Sequence, residues 1–168
     1  LVKNKIKYAI FVQNGYSINF TNNLKKLELA YSKAEFILSY SSDISECIKL
    51  NFPKLKTEII KIKYSIVSNS FNKKVRKKNL ITYMSRKLPV HSNHVVILLK
   101  KYLPKNWNIK DLNNIDEKLV YRNLQESKVF LAFSNLEGLP LPPVEAALAG
   151  NYVVGYTGGG SAEGLNII

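Results

Sequence analysis

The chain has 168 residues, 46% hydrophobic and 22% charged, which suffices for one compact domain or parts of two and argues against disorder. Its 25 Lys+Arg against 12 Asp+Glu give a formal charge of +13 and a pI near 9.7, a field that attracts nucleic acid, anionic membranes or phosphorylated small molecules. The single cysteine, Cys47, excludes an internal disulfide and a Cys-based metal site, and no apolar run reaches the roughly 18 residues of a membrane span.

The charge alone does not choose among those partners. The chain also holds 18 asparagines, and joint Lys/Asn enrichment is what an AT-rich genome produces, with the basic patches as solvated faces. No signal peptide is readable, so the expected compartment is cytoplasmic. A start at Leu1 and a stop at "GLNII" read as a fragment of a longer protein.

In chain order, "YAIFVQ" (8–13) is a near-continuous apolar run ending in polar "NGYS", the look of a buried parallel strand entering a loop. From Asn23 the spacing of Leu24, Leu27 and Leu29 predicts a short amphipathic helix. "EFILSYSS" (35–42) reads as a second buried strand. A helix then begins at a Ser42/Asp43 cap, carries Ile44, Cys47, Ile48 and Leu50 on one side, and stops at Pro53. "TEIIKIKYSIV" (57–67) reads as a third strand. The basic stretch "SNSFNKKVRKKN" (68–79) shifts composition and is the expected crossover between a first domain over 1–72 and a second over 73–168. Within that stretch "KKVRKK" (73–78) reads as linker or membrane-apposed charge.

The pattern then restarts. Strand "LITYMS" (80–85) leads through the basic loop "RKLPVHSN" to a helix over 94–103, with His94 at its start. "NWNIKDL" (106–112) is a short strand, with Trp107 expected in the core. A helix over 116–127, a strand over 128–134, an opening loop, a helix over roughly 143–149 and the strand "NYVVGYT" complete the chain. Strands alternating with helices of about ten residues predict an α/β fold of Rossmann-like parallel sheets with helices on both faces.

Chemistry concentrates in "FSNLEGLPLPPVEAALAG" (133–150), which sets Glu137 and Glu145 eight residues apart around a proline-stiffened turn. Pro142 or Pro143 suits the first helical position, and Gly150 suits a left-handed C-terminal cap. The helix N-terminus then points to the carboxyl ends of the strands, where open α/β sheets bind ligands and free N–H groups favour anions. Taken singly, Glu145 also reads as a charge complementing the helix dipole, and Glu137 as a solvated loop carboxylate. "TGGGSAEG" (157–164) follows a strand, and its glycines allow close backbone approach to a ligand or form a plain loop. "QNGY" (13–16) is a candidate second wall. His91 and His94 lack further ligands for a metal, and Tyr and Phe do not interleave with Lys as a base-stacking platform would.

Together "SNLEGLPLPPVEAALAGNYVVGYTGGGSAEG" resembles the E-x7-E segment of retaining GT-B glycosyltransferases of the large "group 1" (family-4-like) type, with "KKNLITYMSRK" similar to the first strand and basic loop of their donor-binding domain. "IFVQNGY" and "FILSYSSDISECI" resemble late elements of the acceptor-side domain, and the nearest look is to rhamnosyltransferase-like enzymes of bacterial surface polysaccharide biosynthesis. The resemblance is specific from about Asn79 to Gly164. It implies a truncated GT-B fold and transfer of a hexosyl group from a nucleotide-diphosphate sugar to a glycan or lipid-linked acceptor, with retention. Glu145 would hold the ribose hydroxyls, and Glu137 would sit at the donor sugar as the catalytic position. The backbone at Gly138, Leu139, Gly158 and Gly159 would face donor, and Arg86 and Lys87 would neutralise the diphosphate. No metal and no cofactor is implied, and no Asp-x-Asp motif or His/Asp/Glu cluster stands ready for one. Pro140 replaces the family's usual glycine and removes an N–H from the donor loop. Glu163 matches the acid after the glycine pair, with donor binding and helix capping both open.

The resulting expectation is a cytoplasmic hexosyltransferase, peripheral at the inner face of the membrane and without nucleic acid, inactive as this fragment alone. The alternatives are a non-catalytic nucleotide-sugar or glycan-binding module, and a basic nucleic-acid or membrane-surface domain.

Overall fold

The computed structural model describes residues 6–63 and 75–159. Most of the expected crossover, the boundary at 72/73, the end of the third strand reading and Glu163 lie outside the described residues. The chain divides into two compact units. The first comprises 1–65 with two short segments, 136–139 and 158–163; the second comprises 66–135, 140–157 and 164–168.

The first unit is built on a three-stranded parallel sheet in the order β1-β2-β3, with β1 Ile10–Val12, β2 Ile37–Ser39 and β3 Ile59–Lys61. Its register aligns Ile10 with Ile37 and Ile37 with Ile59. A 3-10 helix, Gly15–Phe20, follows β1, with Asn14 accepting from the Tyr16 N–H as its cap. Helix α1 (Leu24–Lys33) starts where Asn23 accepts from the Lys26 N–H. Its inward side is set by Leu27 and Tyr31, four residues apart, whereas Leu24 and Leu29 are exposed. Helix α2 (Ser42–Asn51) is capped by Ser41, one residue before the expected cap, so Ser42 and Asp43 occupy its first two positions. Val12, Ile18, Tyr31, Ile37, Ile44, Ile48 and Phe52 make the core of this unit.

The second unit has a four-stranded parallel sheet in the order β5-β4-β6-β7, from β4 Leu80–Tyr83, β5 Asn108–Asp111, β6 Val129–Ala132 and β7 Tyr152–Gly155. The chain steps from β4 outward to β5, then returns to place β6 on the other side of β4. The sheet therefore reverses direction between β4 and β6, the kind of switch point where a crevice opens at the strands' carboxyl ends. Parallel crossovers are right-handed. Helix α3 (Pro89–Tyr102) accordingly lies on one face of the sheet, and α4 (Glu117–Glu126) and α5 (Leu141–Leu148) on the other. Leu112, Leu124, Phe130, Ala132 and Ala146 form the core beneath α4 and α5.

Two helices begin earlier than their sequence pattern suggests. Proline supplies the helical φ and needs no N–H, so Pro89 opens α3 five residues ahead of His94, which falls in the second turn. Likewise α5 begins at Leu141, with Pro142 and Pro143 second and third, so Glu145 sits in the second turn. Trp107 is half-buried rather than core, with the Lys128 ammonium 5.7 Å from the centre of its ring. Gly150 behaves as expected: at φ +78 it allows its own N–H to reach the Ala147 carbonyl and the Asn151 N–H to reach that of Ala146.

A buried polar network fixes α4 and α5 against the amino ends of β6 and β7. The Asn151 side-chain amide donates to the carbonyls of Leu124 (2.7 Å) and Ala146 (2.8 Å) and accepts from the Ser127 hydroxyl, which also meets Thr82. Lys77 donates to the carbonyls of Leu124 (3.2 Å) and Ala149 (2.6 Å), closing the C-terminal ends of both helices. Part of the "KKVRKK" run is thus structural.

Candidate functional site

In the second unit the candidate side chains gather at the carboxyl end of the sheet. Strand β4 ends at Tyr83 and passes into a 3-10 turn, Ser85–Lys87, that carries the exposed Arg86 and Lys87 side by side. Asp111, at the end of β5, holds this turn: its Oδ1 accepts from the N–H of Ser85 (3.2 Å) and of Asn113 (3.0 Å). The turn runs into the N-terminus of α3, where no side chain caps the first N–H groups. Two cations and the positive end of a 14-residue helix thus share one corner, the composition of an anion-binding site.

Helix α5 contributes differently. Two of its first three residues are prolines, so the N–H groups of its first turn are reduced to those of Leu141 and Val144. Pro140 is its N-cap residue and is buried. Glu145 is half-buried, and its carboxyl is pushed above the ordinary range, first by burial and then by the negative charge of Glu117 at the start of α4. A partly desolvated acid, held short of full exposure, suits hydrogen bonding to hydroxyl groups.

An aromatic cluster that sequence reading did not assemble lies at the same end. His91 Nε2 is 2.9 Å from the Tyr156 hydroxyl just after β7, and its ring packs edge-on to Phe133 just after β6. Phe133 in turn meets Tyr83 edge-on. Burial, and then Asp111, push the Tyr83 hydroxyl above its ordinary value. The signal was Pro89: taken as the first helical residue, it puts His91 in the first turn of α3.

In the first unit the segments 136–139 and 158–159 bring Glu137, Gly138, Leu139, Gly158 and Gly159 together. The Glu137 N–H donates to the Gly158 carbonyl at 2.7 Å, and Glu137 pairs with Gly159 in a single parallel bridge. Leu136 adopts φ +52, uncommon for a residue with a side chain, and its carbonyl accepts from Asn14 Nδ2 at 3.0 Å. The Ser41 hydroxyl donates to the Gly138 carbonyl (3.1 Å) while accepting from the Ile44 N–H (3.2 Å). Gly138 has no room for a side chain, since a Cβ would lie 2.6 Å from the Gln13 carbonyl oxygen and from Ile44 Cδ1. Gly159, at φ +97, packs on Tyr16, whose hydroxyl donates to Asp43 at 2.9 Å and is pushed up to about 12 by burial and that carboxylate. "QNGY" is therefore the seat on which the Glu137 loop rests. Glu137 is half-buried, with Oε1 enclosed.

Among the described residues, no three His, Cys, Asp or Glu side chains are grouped to hold a metal ion. No helix of the described residues is long and apolar enough to cross a membrane.

Each unit is a Rossmann-like parallel sheet flanked by helices, and the likeness to a solved structure gives the chain the GT-B class of fold. Among solved structures it is similar to the pneumococcal O-GlcNAc transferase GtfA in complex with UDP and GlcNAc, with a TM-score of 0.58 and 17% identity over 89% of this chain. The chain spans 37% of that neighbour's length. No family model and no curated protein matches the sequence.

Proposed function

We propose that the chain is the donor-binding part, with a portion of the acceptor-side part, of a glycosyltransferase that moves a hexosyl group from a nucleotide-diphosphate sugar to a glycan or lipid-linked acceptor with retention. The observation that carries this reading is the corner at the switch point of the second sheet, where Arg86 and Lys87 precede an uncapped helix N-terminus. The fold's likeness to an enzyme whose structure holds UDP and GlcNAc supports the same class of donor.

In this reading Arg86 grips phosphate oxygens with its planar guanidinium, and Lys87 adds a point charge. As the glycosidic bond breaks, the leaving nucleoside diphosphate gains charge, and cations already in place stabilise it without reorganisation. The chemistry then proceeds without a metal. Glu145 accepts hydrogen bonds from the ribose hydroxyls, and Glu137 meets hydroxyls of the transferred sugar. The backbone at Gly138, Leu139, Gly158 and Gly159 approaches the donor closely. Surface polysaccharide synthesis on the cytoplasmic side of a bacterial membrane is the setting that the sequence resemblance suggests.

Calorimetric titration of UDP-, GDP-, ADP- and dTDP-sugars identifies the base. The expected result is binding of one class, weakened at least about tenfold by Arg86→Gln with Lys87→Gln, by analogy with the cost of losing charged hydrogen bonds. Glu137→Gln in the complete protein keeps donor binding and loses transfer. Donor binding without transfer by the complete protein marks a binding module instead, and transfer unchanged in Glu137→Gln removes Glu137 from the catalytic position. Absence of nucleotide binding, with salt-dependent binding to DNA or RNA, overturns the proposal.

A further inference from the structure

Asn14 and Ser41 occupy matching places in the first unit. Val12 and Ser39 are partners in the register of β1 and β2, and each of the two polar residues stands two positions beyond its strand's paired end. Both are helix caps: Asn14 Oδ1 accepts from the Tyr16 N–H at 3.0 Å, and the Ser41 hydroxyl accepts from the Ile44 N–H at 3.2 Å. Capping uses only the acceptor of each side chain. The spare donors go to the two neighbours of Glu137. Asn14 Nδ2 donates to the Leu136 carbonyl at 3.0 Å, and Ser41 Oγ to the Gly138 carbonyl at 3.1 Å. The carbonyls before and after Glu137 are thus held from the edge of one sheet. We propose that Asn14, 122 positions from Leu136 in the chain, is a positioning residue for transfer that fixes the backbone carrying Glu137. The proposal rests on the reading of Glu137 given above and adds to it the residue that sets its place.

The two holds are unequal. Gly138 is already wedged between the Gln13 carbonyl and Ile44, so its position survives without the Ser41 bond. Leu136 has no such support: its side chain is 52% exposed, and its φ of +52 is a left-handed conformation that a Cβ disfavours. The bond from Asn14 opposes its relaxation. Asn14 is itself firmly seated, because a Cβ on the following Gly15 would lie 2.6 Å from Cys47 Cβ, which presses the start of the 3-10 helix against α2. Rotation of the peptide after Leu136 would take the Glu137 N–H off the Gly158 carbonyl, 2.7 Å away, and carry the side chain with it. A displacement of about 1 Å at a reacting centre costs on the order of a hundredfold in rate.

Asn14→Asp and Asn14→Ser test this in the complete protein. Both residues keep an oxygen for the Tyr16 N–H and are good caps, so thermal unfolding should match the parent; both lack the amide donor, and only one adds charge. The expected result in each is a kcat at least about tenfold lower with the donor KM within about twofold of the parent, since the loss falls on the transition state rather than on donor binding. Amide hydrogen exchange at Glu137 should be at least about tenfold faster. Parent-like turnover in Asn14→Ser overturns the proposal, and so does a loss confined to Asn14→Asp, which would trace to the new charge. A fall in kcat accompanied by a lowered melting temperature, or unchanged exchange at Glu137, overturns it equally. A parent that neither binds nor transfers a nucleotide sugar refutes the proposed function instead, and exchange at Glu137 still decides whether Asn14 is its hold.

Discussion

Glu145 holds its proton more tightly in the fold than in the unfolded chain, because burial and Glu117 both penalise the carboxylate. Between the ordinary carboxylate range and the raised value the native state binds more protons, so stability falls as pH rises through that window. Glu145→Gln removes the charge at the same volume. The variant is expected to melt above the parent at neutral pH, with the difference vanishing as pH falls to about 4. Scanning calorimetry across pH checks this, and a variant less stable than its parent at pH 7 would mean that the carboxylate is held by a partner rather than penalised. Gly138 makes the opposite case. Its missing side chain is replaced by the Gln13 carbonyl and Ile44, so Gly138→Ala should lower stability by about 1–3 kcal/mol, read from chemical denaturation. The glycine was legible in the sequence; its reason was not. The contact joins residues more than ninety positions apart, and a local pattern carries no record of such a pairing.

Helix α5 shows how an element is placed by its ends. Its amino end is set by Pro140, Pro142 and Pro143, its carboxyl end by Gly150, and both kinds of punctuation were readable. The errors came from proline itself: the prolines at α5 allow several start positions, of which Leu141 is the one taken, and at α3 the single Pro89 opens the helix five residues ahead of His94. Invisible in the sequence was the shared closure of α4 and α5. Lys77 and Asn151 both donate to the Leu124 carbonyl, and each also reaches a carbonyl of α5, at Ala149 and Ala146 respectively. A lysine in a basic run looks like solvated charge until the carbonyls it serves are known. Lys77→Met and Asn151→Ala are each expected to cost about 1–3 kcal/mol, because buried carbonyls lose donors. Since they share an acceptor, the two losses should not add in a double-mutant cycle, with an interaction term above about 0.5 kcal/mol. Strict additivity would show that each helix end is held independently.

At the scale of the whole molecule the charge balance governs how the fold answers its solution. Ion pairs among the described residues include Lys7–Glu35, Lys78–Glu126 and Arg122–Glu126, each with a solvent-exposed basic partner. Such pairs contribute little, while +13 of net charge repels itself. Screening should therefore stabilise: the melting temperature is expected to rise as sodium chloride increases to about 0.3 M, where the Debye length falls below about 8 Å. That effect depends on ionic strength alone. A nucleoside diphosphate at matched ionic strength adds a second, saturable contribution if it occupies the corner at Arg86 and Lys87, worth about 2.7 kcal/mol at a hundred times its dissociation constant. Arg86→Gln with Lys87→Gln should abolish the ligand's share and leave the salt response nearly intact, because removing two of 25 basic side chains changes the general field little. If the diphosphate stabilises the double variant as much as the parent, its effect is only that of a multivalent counterion on a basic protein, and the corner at the switch point is not where it binds.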